Sequence, residues 1–141
     1  MSRQRRDERG SVSIWAALIV AAFTLILGIS VDLVGQVAAK QRAADVAAQA
    51  ARIAAEQVDP NTVLSGAKTI TANPVRARQA ALAYIAGADM TGTVTIGAGG
   101  TQLAITTTAT YQPLFLTSIG IGPLTVTGTS TARLVRTLNG S

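Results

Sequence analysis

Any chemistry this chain performs must be done without histidine or cysteine, because neither occurs in its 141 residues. The commonest general base, the thiol nucleophile and the main transition-metal ligands are therefore missing. A disulfide framework and a thiolate metal site are excluded for the same reason. Beyond residue 31 there remain five acids (Asp32, Asp45, Glu56, Asp59, Asp89), eight cations (Lys40, Arg42, Arg52, Lys68, Arg76, Arg78, Arg133, Arg136) and scattered serines. These follow no recognisable catalytic spacing. The sequence thus supplies no catalytic residue, no metal ligand and no cofactor site, and the expectation is a protein that is not an enzyme. The net charge of +5 belongs partly to the N-terminal leader, and the other cations are spread along the whole length. With no dense basic patch and no interleaved aromatics to stack bases, nucleic acid is a disfavoured partner.

The position of Asp32 is more telling than its chemistry. It is the first charge after an uncharged run of 21 residues, SVSIWAALIVAAFTLILGISV, which itself follows the leader MSRQRRDERG. As a helix at about 1.5 Å per residue, such a run crosses roughly 30 Å of hydrocarbon, so residues 11–31 read as one membrane span and the lipid bilayer as the first partner. Arg3, Arg5, Arg6 and Arg9 outweigh Asp7 and Glu8 on one side, and no cation follows until Lys40 on the other. The positive-inside rule then places residues 1–10 in the cytoplasm and residues 32–141 outside the cell membrane. A secretory signal peptide needs an apolar core of only about 7 to 15 residues, and the run is too long for one. A buried core helix would leave the clustered arginines unexplained. Asp32 reads as an interfacial residue at the outer end of the span and a candidate docking residue.

Nothing outright breaks a helix between Ser11 and Gln57, so the span is expected to continue outward as one rod about 70 Å long at the standard rise. Beyond the span, Ala39, Ala43, Val46, Ala50 and Ile53 recur at 4-3-4-3 spacing, with Gln41, Asp45, Gln49, Arg52 and Glu56 on the polar side. This is an amphipathic helix with an alanine seam, a candidate helix-contact surface for the chain's own domain or for a neighbouring anchored partner. Pro60 ends it. Asn73 and Pro74 suit the cap and first turn of a short helix over residues 74–86, with Val75, Ala80, Leu82, Ala83 and Ile85 as its buried side, Tyr84 close by and Gly87 as its stop. From Thr93 the period changes to two: a hairpin turns at residues 97–100, an apolar connection follows Pro113, and a last strand spans residues 124–135. Thr125, Thr127, Thr129 and Thr131 share its solvated face, and Gly128 marks a bulge or a close backbone approach.

Several of these segments resemble a known family. Arg9-Gly10-Ser11, the apolar run, Gly28-Ile29-Ser30-Val31-Asp32 and the stretch RAADVAAQAA from Arg42 are similar, over residues 9–56, to the N-terminal region of TadE/TadG-like pseudopilins of tight-adherence (Flp-type) pilus assembly systems. The resemblance implies a non-enzymatic envelope protein that helps build, anchor or initiate a secreted filament, with other pilus assembly proteins or pseudopilins as partners. It also implies a candidate processing site between Gly10 and Ser11. Prepilin-like members carry a glutamate five residues into the mature chain, where this sequence has Trp15. The expected architecture is a pilin-like α+β fold. It comprises a cytoplasmic leader (residues 1–10), a transmembrane helix (11–31), an extracytoplasmic helix extension (32–57) and a small α+β domain (58–141) with a short helix and an antiparallel sheet. A membrane-anchored extracytoplasmic binding module for cell-wall polymer or DNA is the alternative.

Overall fold

A computed structural model describes residues 8–66 and 69–137; most of the basic leader and Lys68 lie outside the described residues. One helix, α1 (Glu8–Ala55), runs unbroken through the apolar run and the alanine seam. It begins three residues before the uncharged run and stops two short of Gln57. A five-residue helix α2 (Pro60–Leu64) follows, started by Asp59, whose carboxylate accepts the Asn61 N–H at 3.0 Å. After it come strand β1 (Thr69–Thr71), helix α3 (Pro74–Gly87), strands β2 (Thr91–Ile96), β3 (Gln102–Tyr111) and β4 (Leu124–Arg133), and the short β5 (Val135–Thr137). The protein is α+β, with a long apolar N-terminal helix, a short helix and a three-stranded antiparallel sheet of order β2-β3-β4.

The sheet follows from the alternation. Val94, Leu103, Ile105, Thr107, Val126 and Ala132 turn to one face and are buried, while Thr125, Thr127, Thr129 and Thr131 are exposed on the other. Helices α1 and α3 cover the buried face, giving two layers. Ala43, Ala47, Ala50, Ala51 and Ala54 bring α1 close to the sheet and to α3. Because these alanines belong to the core, the small domain is not closed at residue 58: a free 58–141 fragment lacks one wall of its own core.

The cap at Asn73 forms as the sequence requires, its side-chain oxygen accepting the N–H groups of Val75 and Arg76 at 3.1 and 3.2 Å. The buried side of α3 differs from the expected one. Ala77, Ala81 and Ile85 face inward, whereas Val75, Ala83 and Tyr84 are exposed and Ala80 and Leu82 are half-buried. Packing against the alanines of α1 selects an i, i+4, i+8 row with small residues where the helices meet, and bulkier Val75 and Tyr84 stay outside. Gly87 is the last helical residue; the chain reverses at Asp89, whose φ of 56° lies in the left-handed region that Asp tolerates.

A second, two-stranded ribbon pairs β1 with β5, Ile70 facing Arg136 in the register. The ribbon was not anticipated, since its strands lie at opposite ends of the domain and are three residues each. It closes the end of the fold where α1 stops: the Asn73 N–H donates to the Gln57 carbonyl at 2.8 Å and the Ala72 N–H to the Leu134 carbonyl at 2.7 Å.

Candidate functional site

Along α1 the 4-3 spacing begins before the seam. Gly28, Asp32, Gly35, Ala39, Ala43, Val46, Ala50 and Ile53 fall on one stripe. Ala43, Val46 and Ala50 are buried and Ala39 and Ile53 half-buried, all beneath the chain's own domain. Of the two surfaces the seam could have met, it meets this one.

At Gly128 the sheet comes closest to α1. A Cβ there would sit 2.3 Å from the Ala43 carbonyl carbon and 2.3 Å from the Ala44 nitrogen, so only glycine lets β4 lie against the helix backbone. Gly128 pairs in register with Thr107 without a bulge. Beside it the buried Thr107 hydroxyl donates to the Ala43 carbonyl oxygen at 2.6 Å. Thr107→Val keeps the shape and removes this bond, and is expected to cost about 0.5 to 1.5 kcal/mol in chemical denaturation. An unchanged midpoint would show that the bond adds nothing to docking.

Asp32 is the main departure from the sequence reading. It is 1% exposed, and its carboxylate accepts three consecutive backbone N–H groups from the connection between β3 and β4. Oδ1 takes Leu114 at 2.7 Å, and Oδ2 takes Phe115 at 2.9 Å and Leu116 at 2.7 Å. The Tyr111 hydroxyl reaches Oδ1 at 3.5 Å, a longer and weaker contact. Burial first, then the Asp32 charge and this hydrogen bond, raise the Tyr111 phenol above its ordinary value, so it remains a protonated donor.

The glycines on either side make room for this arrangement. A Cβ on Gly28 would lie 2.5 Å from the Phe115 ring, and one on Gly35 would lie 2.1 Å from the Tyr111 hydroxyl oxygen. Each aromatic therefore rests on bare helix backbone, with Asp32 between. The loop ends in a 3-10 turn over Leu116–Ile119 that Gly120 closes at a φ of 89°. The Thr117 hydroxyl donates back to the Pro113 carbonyl, and the Ile121 N–H donates to the Leu116 carbonyl at 2.9 Å.

The sequence placed Asp32 at the end of the span and an apolar connection after Pro113, but did not join the two. One signal was present: Gly28 and Gly35 stand four residues before and three after Asp32, extending the small-residue stripe of the seam. Gly10 and Ser11 lie in the first turns of α1 within continuous helix, far along the rod from the domain, and Trp15 is exposed.

Chemically, the Asp32 cluster is a latch between helix and loop. Its oxygens are occupied by backbone donors, and the Tyr111 phenol, a titratable neighbour, reaches it only at the weak distance of 3.5 Å. Among the described residues there is no group of three or more potential metal ligands. An open groove of about 590 Å³ lies between α1 and β4, flanked by Arg52 and Arg133. One helix, within Ser11–Ala55, is long and apolar enough to cross a membrane, and its apolar half is almost uncovered by the rest of the chain. No protein-family model, curated protein or solved structure matches this chain.

Proposed function

We propose that this chain is a non-enzymatic, single-pass membrane protein acting as a pseudopilin-like component of a tight-adherence (Flp-type) pilus assembly or related secretion apparatus. Its N-terminus is cytoplasmic and its domain stands outside the cell membrane. The observation that carries this reading is the division of labour along α1. Every residue from 11 to 27 is exposed, while residues 28–54 hold the domain through one face of the helix. A rod with a bare apolar half and a headpiece packed on its other half is suited to lateral association of anchored subunits. The arginine-rich leader supports the orientation, and the order of residues 9–56 supports the family. Because the alanine seam is taken by the chain's own sheet, contact with a neighbouring anchored helix is assigned to another face. Leu33, Val34 and Val37 stay exposed just above Asp32.

Complementation of a deletion strain tests this. Loss of the gene is expected to reduce surface filaments, and the full chain to restore them. A chain carrying Val34→Asp and Val37→Asp should reach the membrane and melt like the wild type yet fail to restore filaments or to crosslink to other anchored helices. Normal filaments in the deletion strain would reject the assembly role.

The groove between Arg52 and Arg133 favours one second reading, a membrane-anchored module that binds an anionic cell-wall polymer. Arg52→Ala with Arg133→Ala should then release the domain from isolated wall polymer while filaments persist.

A further inference from the structure

Asp32 served in the sequence as the marker of the membrane's outer edge, because it is the first charge after the apolar run. In the fold that charge is hidden: Asp32 is 1% exposed and enclosed by the N–H groups of Leu114, Phe115 and Leu116. The outward surface of α1 therefore carries no charge until Lys40. Residues 11–31 match the roughly 30 Å hydrocarbon core, and residues 11–39, at 1.5 Å each about 43 Å, match a bilayer with its headgroup layers. Asp32 then stands where core meets headgroups.

The 113–121 loop is fixed at that level. Phe115 lies on Gly28, inside the apolar run and about one helical turn below Asp32. Leu114 and Ile119 are 70% and 63% exposed, and Phe115 and Ile121 are also open to the surroundings. No Asp, Glu, Lys or Arg occurs between Asp89 and Arg133, so nothing charged on β3 or the loop opposes immersion, and the one charge on β4, Arg133, pairs with Gln102 at the end of the sheet away from the loop. Backbone donors in such a layer need internal acceptors. The two oxygens of Asp32 accept three of them, the loop's own carbonyls take the N–H groups of Ser118, Gly120 and Ile121, and Pro113 has none to satisfy.

We propose that residues 114–121 form a second membrane-contacting element, seated in the outer interfacial layer of the bilayer beside α1 and held there by the Asp32 carboxylate. The occupant of this apolar surface is lipid, because the loop rests on the very stretch of helix that the bilayer surrounds. Two attachments, a span and a loop, fix the rotation and tilt of the headpiece about the rod, which one helix alone leaves free.

The proposal rests on the anchoring of residues 11–31, and the test separates the two. The chain has no cysteine, so Leu27→Cys, Leu114→Cys, Ile119→Cys and Thr127→Cys each accept one spin label. The labelled full-length proteins are placed in vesicles of phosphatidylethanolamine and phosphatidylglycerol and relaxed by oxygen or by a water-soluble nickel chelate. Positions 114 and 119 are expected to lose nickel relaxation and gain oxygen relaxation, as at 27, while 127 stays accessible to nickel. Nickel access at 114 and 119 equal to that at 127, with 27 protected, overturns the loop proposal alone. Nickel access at 27 overturns the anchor as well. Protection of 114 and 119 from both relaxants identifies a protein contact and also overturns it. In Asp32→Asn the label at 119 should become more mobile and regain nickel relaxation, with α1 still inserted; an unchanged spectrum would remove Asp32 from the role of holding the loop.

Discussion

Valine at position 128 should abolish the cooperative thermal transition of the domain while leaving the helical signal of α1 in detergent micelles largely in place. A Cβ at this position would meet the Ala43 carbonyl carbon at 2.3 Å and the Ala43 oxygen at 2.5 Å. These are helix backbone atoms, which cannot swing aside as a side chain would. Relief requires β4 to lift from α1. That opens the layer holding Ala43, Ala47 and Ala50 against Leu103 and Ile105 and breaks the Thr107 to Ala43 bond. Overpacking usually costs about 1 to 3 kcal/mol, and a clash with rigid backbone belongs at or above the top of that range. Gly87→Ala is the control: nothing lies within 4 Å of its added carbon, it is helical, and it should stabilise by about 0.5 to 1 kcal/mol. If both variants melt alike, β4 does not lie against the helix backbone as described.

Removing the Asp32 carboxylate should release the loop without unfolding the sheet. In Asp32→Ala the amides of Leu114, Phe115 and Leu116 lose their acceptor at once, and water does not replace it in the same geometry. Hydrogen exchange in micelles should show protection lost at those three amides, with β3 and β4 amides still slow. Asp32→Asn keeps one acceptor oxygen and should fall between the two, because a neutral amide binds N–H groups less strongly than a carboxylate. Equal protection in wild type and Asp32→Ala would mean that the loop holds itself through the Ser118, Gly120 and Ile121 bonds and that the latch is incidental.

The sequence by itself determined the elements whose causes are local. An uninterrupted absence of proline makes α1, Asn73 with Pro74 starts α3, glycines with φ of 83° and 68° at positions 99 and 100 turn the β2–β3 hairpin, and threonine alternation sets the two faces of β4. It also determined that alanines at 4-3 spacing must face something, because small side chains repeated on one helix face permit close approach. Only the tertiary structure decided what they face. The partner of Asp32 lies 82 to 84 residues away, and no local rule pairs a carboxylate with backbone donors of a loop so distant. The β1–β5 ribbon escaped for the same reason: three-residue strands carry too little pattern, and their pairing depends on where α1 and β4 end. A charge read along the chain marks water, but the same charge with its oxygens filled by N–H groups does not, since burial and hydrogen bonding in three dimensions decide whether a carboxylate presents itself to solvent.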